Sequence, residues 1–150
     1  MTTLLRTALL CALCVLSSGC ATPPATKTES ADATAQIAAL VALVRADPTQ
    51  RPRLTHALVR QQVWMIPDPH ASRLAVLAFD QNERSFVPVF SDQKTFDVEA
   101  YGTGFERKAV AVDGSVFASL VDDDALIVLN PGDRPAIEFR GYELKSSAAR

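Results

Sequence analysis

The chain has 150 residues, 48% apolar and 21% charged, with 15 Lys and Arg against 17 Asp and Glu for a formal charge of -2. That length fits one ordinary domain and leaves too little for two with separate cores. No run of basic residues is present to neutralise a phosphate backbone, so nucleic acid is not expected as a partner, and no polybasic membrane segment stands out.

Residues 1–20 read as a processing signal. Arg6 supplies a positive n-region, residues 7–16 an apolar h-region, and Ser17, Ser18 and Gly19 a small-residue cleavage zone. The h-region is about half of what a membrane span needs, so a permanent transmembrane helix is not expected. The ending Leu16-Ser17-Ser18-Gly19-Cys20 resembles the lipobox of bacterial lipoproteins, with Ser17 where an aliphatic residue is usual. The resemblance implies cleavage before Cys20 and lipidation of its sulfur, since the thiolate is the nucleophile that takes up the lipid. Ala21 after the cysteine is similar to lipoproteins forwarded to the outer membrane. The alternative is cleavage after Ala21 on the looser Gly19-Cys20-Ala21 pattern, which releases a soluble periplasmic or secreted protein. Cys11, Cys14 and Cys20 are the three cysteines, so nothing beyond the leader can form a disulfide. The C-x-x-C spacing of Cys11 and Cys14 lies inside the discarded h-region.

Residues 21–32 are small, polar and proline-containing, and read as a flexible tether. The expected organisation is a signal peptide over 1–19, a lipidated cysteine and tether over 20–34, a domain over 35–144 and a polar tail over 145–150. Within the domain, Ile37, Leu40, Val41 and Val44 repeat at i, i+3, i+4 and i+7, which predicts a helix closed by Asp47-Pro48. A second helix starts near Pro52 and carries Leu54 and Leu58. Residues 63–66 read as a strand closed by Pro67, and 74–79 with 86–90 as an antiparallel hairpin. Pro88 lacks an amide donor, so its strand belongs at an edge or must turn that nitrogen away from its neighbour. Ser91 reads as the N-cap of a helix over 92–101, ended by Gly102 and Gly104. A strand over 109–112 follows, then a helix over 115–122 with Val116, Phe117, Leu120 and Val121 inward. Strands over 126–129 and 136–140 close the domain around the Asn130-Pro131-Gly132-Asp133 turn.

Chemistry is sparse. Asp122, Asp123 and Asp124 offer oxygen ligands for Ca2+ or Mg2+, but three consecutive residues of a helix cannot face one ion, and the spaced calcium-loop pattern is absent. His56 and His70 stand in no zinc spacing. Ser115 lacks the second glycine of a nucleophile elbow and reads as a helix cap. Gly102-Thr103-Gly104 is not a dinucleotide fingerprint. The aromatic residues Trp64, Phe79, Phe86, Phe90, Phe96, Tyr101, Phe105 and Phe117 read mainly as core. Trp64 is singled out as a candidate binding residue, because alternation sets it opposite Val63 and Met65.

Val87-Pro88-Val89-Phe90-Ser91-Asp92, the later Leu126-Ile127-Val128-Leu129-Asn130-Pro131-Gly132 and the earlier Val63-Trp64-Met65-Ile66-Pro67 resemble the SseB N-terminal domain, the enhanced-serine-sensitivity family. Ser91 and Tyr101 stand where that family is expected to have Thr and Trp. The resemblance implies a single α+β domain with a mixed, largely antiparallel sheet packed by about four helices, and a fold without an established catalytic centre. The expected protein is a lipid-anchored, periplasm-facing, non-enzymatic interaction or scaffold domain in a bacterial envelope. Its partners are the membrane and an envelope protein, with no cofactor and no metal. The alternative is a secreted metal-dependent hydrolase using Asp122, Asp123 and Asp124 or His70.

Overall fold

The computed structural model describes residues 27–81 and 83–150, with side chains from Asp32 onward; the expected leader, Cys20 and the first part of the tether lie outside the described residues. The first helix, α1 (Lys27–Ala46), buries Ile37, Val41 and Val44 on one stripe. It begins earlier than the sequence pattern indicates. Residues 27–34 of the expected tether form its first turns, because Thr, Glu, Ala and Asp permit helix once the two prolines are passed. Asp47 then caps a short 3-10 turn (Pro48–Gln50), accepting from the Thr49 N–H at 3.0 Å. Helix α2 (Arg51–Leu58) follows with Pro52 in its first turn and Leu54, Thr55 and Leu58 buried.

The strands are β1 (Gln62–Met65), β2 (Phe79–Gln81), β3 (Arg84–Phe90), β4 (Val110–Asp113), β5 (Leu126–Leu129) and β6 (Ile137–Arg140). Between them lie α3 (Gln93–Glu99) and α4 (Gly114–Leu120), and α5 (Gly141–Ala148) comes last. The sheet runs β4-β1-β3-β5-β6, with β2 attached to β3. β3 and β5 are parallel and every other pair is antiparallel, so the domain is α+β with a mixed, mostly antiparallel open sheet.

Alternation divides the side chains of the strands. Val63, Met65, Val87, Val89, Ile127, Leu129, Ile137 and Phe139 point to one face, where α1, α2, α4 and α5 cover them in the main core. Trp64 and Phe90 point to the other face, into a smaller cluster with Ile66, Phe96 and Ala100 under α3. On this face α4 approaches α2, and α5 approaches the loop after α4, closely at two glycines. A Cβ on Gly114 would stand 1.9 Å from the Leu58 carbonyl oxygen, and one on Gly141 would stand 1.9 Å from that of Asp122. No other residue fits either position.

Of the two placements that Pro88 allows, the second is found: β3 is central. It tolerates Pro88 because the Asn130 N–H donates to the Val89 carbonyl (2.9 Å), and alternation then turns the Pro88 nitrogen away from β5. On that other side β1 pairs only up to Val89, β2 pairs only from Phe86 back, and the Ile66 carbonyl is taken by the Leu77 N–H (2.9 Å). Several expectations need correction. The hairpin is tighter than expected: Asp80 pairs with Ser85 and Gln81 with Arg84, while residues 74–78 contribute only the Pro67 to Val76 bridge.

The cap of α3 is Asp92, which accepts from the Thr95 N–H at 2.9 Å, and Ser91 is buried before it. Ser115 does not cap α4, whose N-cap is Asp113, and Val116 is exposed, because α4 starts at Gly114 and rotates its buried stripe onto Phe117 and Ala118. Residues 145–148 of the expected polar tail belong to α5, whose Leu144 is buried in the core and whose Glu143 accepts from the Arg140 N–H at 2.6 Å. The helices therefore number five among the described residues, one more than expected.

Candidate functional site

The second face of the sheet is only partly roofed. One α-helix, α3, and the loops over 66–78 and 100–109 cover it, and the cover leaves an apolar cleft of about 320 Å³. Phe86, Pro88 and Phe90 of β3 form its floor, and Phe79, Phe105 and Ala100 stand around it. The aromatic walls brace each other: Phe79 meets Phe105 edge to face at 5.0 Å, and Phe90 meets Phe96 the same way at 5.1 Å. Lys108 lies over the Phe105 ring at 5.1 Å. The chain leaves α3 through Gly102 and Gly104, both at positive φ, which brings Phe105 back against the sheet.

The rim carries one carboxylate. Glu99, the last residue of α3, accepts from the Gly132 N–H at 2.7 Å. Burial raises its pKa above the usual carboxylate range, the Gly132 hydrogen bond partly offsets this, and the charges of Asp133 and Asp92 add to the rise. Asp92 behaves in the opposite way. Burial raises it, but hydrogen bonds from the Thr95 N–H and hydroxyl, the Ser91 hydroxyl and the Lys94 backbone outweigh burial and hold it low.

A buried polar clasp fixes the cleft to the sheet. Asn130, at φ 47°, ends β5; its Oδ1 accepts from the Ser91 N–H at 3.0 Å and its Nδ2 donates to Ser91 Oγ at 3.2 Å. Ser91 Oγ donates in turn to Asp92 Oδ2 at 2.9 Å. The two motifs around Ser91 and Asn130, distant in sequence, thus meet in one hydrogen-bonded chain at the ends of β3 and β5.

The structure places the sequence candidates unevenly. Phe79, Phe86, Phe90 and Phe105 line the cleft, whereas Phe96 and Phe117 are fully buried and Tyr101 is 84% exposed. Trp64 is half-buried and packs against the cluster behind the cleft without lining it. His70 is exposed in a turn whose backbone N–H donates to Asp68 Oδ1 at 2.9 Å. His56 lines a separate groove on the helical face.

Asp122, Asp123 and Asp124 are exposed and serve α5. The Asp123 carbonyl accepts from the Tyr142 N–H, the Asp124 carbonyl from the Arg140 guanidinium, and the Asp123 carboxylate pairs with Lys145 at 2.6 Å. Among the described residues no three His, Cys, Asp or Glu side chains gather into a group able to hold a metal ion. No helix among them is long and apolar enough to cross a membrane. Sequence reading missed Glu99, Thr103 and Pro131 at the rim, because only the return of loop 100–109 and the β5 end brings them to β3.

Comparison with curated proteins finds no match, and comparison with solved structures finds none. A family model, the SseB protein N-terminal domain, matches residues 37–146, from the buried stripe of α1 to the last helix. That span covers more than two thirds of the chain and includes both the cleft and the Ser91 to Asn130 clasp, and the chain belongs to this family.

Proposed function

We propose that this SseB-family domain is a non-enzymatic interaction module, held at the periplasmic side of a bacterial membrane by lipid on Cys20. Its partner on this reading is an envelope protein that inserts an apolar side chain into the cleft floored by Phe86, Pro88 and Phe90. The observation that carries the binding role is the cleft itself: preformed, aromatic, accessible and edged by one carboxylate, the usual chemistry of a small recognition site. Glu99 favours a partner with a cation beside the inserted group. The support for the anchor is the lipobox-like ending at Cys20, the lone thiol at the end of the leader.

Two measurements test the two parts separately. Mass spectrometry of the mature amino terminus should find acylated Cys20; a terminus at Thr22 or an intact Met1 ends the anchored reading. A photo-crosslinking residue placed at Thr103 should capture one discrete envelope protein, and Phe86→Asp should abolish the capture. Capture that persists in the Phe86→Asp chain removes the cleft from the proposal.

A further inference from the structure

On the helical face a groove of about 850 Å³ runs between α1, α2 and α5. Arg53, His56, Arg60 and Gln61 line it from α2 and the turn after it, and Glu143 and Arg150 line it from the last helix and beyond. Its charge is one-sided. The Glu143 carboxylate is already engaged, accepting from Arg51 Nη2 at 3.2 Å and from the Arg140 N–H at 2.6 Å. Arg53 donates to Gln50 Oε1 at 3.2 Å, whereas Arg60 and Arg150 have no side-chain hydrogen bond or ion pair among the described residues. Gln61 Nε2 is buried and has no hydrogen-bond partner, which native interiors rarely permit. Three guanidiniums therefore line a groove whose only side-chain carboxylate among the described residues is already paired. Sequence inspection finds no polybasic run because these groups come from separate elements.

We propose that this groove takes the phosphate of an anionic phospholipid headgroup. Arginine donors match phosphate oxygens, and the Glu143 side chain beside them is already engaged. The choice of a lipid source rests on the anchored reading above. Seven Cα steps join Cys20 to Lys27, a reach of at most ~25 Å when fully extended. Gln36 and Leu40, further along α1, line the groove. A lipid on Cys20 thus keeps this face near the bilayer surface, and headgroup binding orients the domain so that the cleft on the opposite face of the sheet points away from the membrane.

The test uses the mature chain, residues 20–150, carrying Cys20→Ala, so that neither lipid nor leader contributes, and neutral phosphatidylcholine vesicles with or without 30% phosphatidylglycerol. The chain should prefer the anionic vesicles, and Arg53→Gln with Arg60→Gln should reduce that preference about tenfold or more at low salt. Arg53→Lys with Arg60→Lys should restore much of it. Arg73→Gln with Arg134→Gln, which removes the same charge elsewhere, should leave most of it. Thermal melting checks that each variant folds. Equal loss in both double-Gln variants, no loss in the first, or saturation of the groove by inorganic phosphate with no vesicle preference overturns the proposal. An unacylated native Cys20 ends the anchored reading without altering any of these outcomes.

Discussion

The two faces of one sheet are built for different ends. On the helical face Val, Ile, Leu, Met and Phe from five strands meet four helices, and the fit is close enough to require glycine at two contacts. On the opposite face the same strands present aromatic rings and a proline under a single short helix and two loops, and part of that surface stays open. Closely packed apolar surface contributes stability and is unforgiving of change. A half-open aromatic floor contributes less, and its residual exposure is what a ligand can still bury.

The sharpest way to break the comparison is to overfill or empty the closed face. Gly141→Ala drives a methyl into the Asp122 carbonyl and should cost about 3 kcal/mol or prevent folding. Phe139→Ala should cost about 3–5 kcal/mol in urea unfolding, because its ring is fully buried and covered by Arg51 at 5.4 Å. Phe105→Ala on the open face should cost roughly half as much, since the ring is only half-buried. Equal losses for Phe139→Ala and Phe105→Ala would mean that the second face is as tightly packed as the first.

Next in size is the clasp joining the faces at the end of β3. Asn130→Ala leaves the buried Ser91 N–H without its acceptor and places a Cβ-bearing residue at positive φ without a side-chain amide to compensate, at a cost of about 2 kcal/mol. Asp92→Asn should cost about 1 kcal/mol at neutral pH by weakening the cap of α3. Its pH dependence has a definite sign. The folded Asp92 pKa lies below the unfolded one, so its stabilisation is complete above the ordinary carboxylate range and is lost as pH falls through that range to the lowered folded value. Urea midpoints for the two chains should converge on acidification through that window.

How far the sequence discloses this arrangement follows from the reach of each signal. Local periodicity identifies α1 through Ile37, Val41 and Val44, and alternation assigns Val63 and Met65 to one face with Trp64 on the other. Pro88 narrows its strand to two geometries, and the second is found. Long-range register is not legible in this way. That β1 lies between β3 and β4, and that Asn130 meets Ser91, depends on pairings more than 20 residues apart for which no local pattern exists. The last helix is missed for a different reason: Leu144 is the buried anchor of a segment otherwise polar, and one apolar residue sets no period. Missing α5 also hides the basic groove, and missing the return of loop 100–109 hides the rim of the cleft.

The smallest expected effect isolates the chemistry of that rim from its packing. Glu99→Gln keeps an oxygen to accept from the Gly132 N–H while removing the charge. Because burial raises the folded Glu99 pKa above the unfolded value, the ionised carboxylate lowers stability at neutral pH, and this penalty fades as pH falls through the raised value towards the ordinary one. The Gln chain should therefore match or slightly exceed the unaltered chain at pH 7, with the difference vanishing on acidification, as read by urea midpoints across pH. A partner that places a cation beside Glu99 would reverse the balance in the bound state, so the same substitution should weaken capture at the cleft while leaving the free domain as stable as before. A Gln chain that loses stability at pH 7 would instead make Glu99 a structural link between α3 and the β5 turn, and the cleft rim would lose its carboxylate as a recognition element.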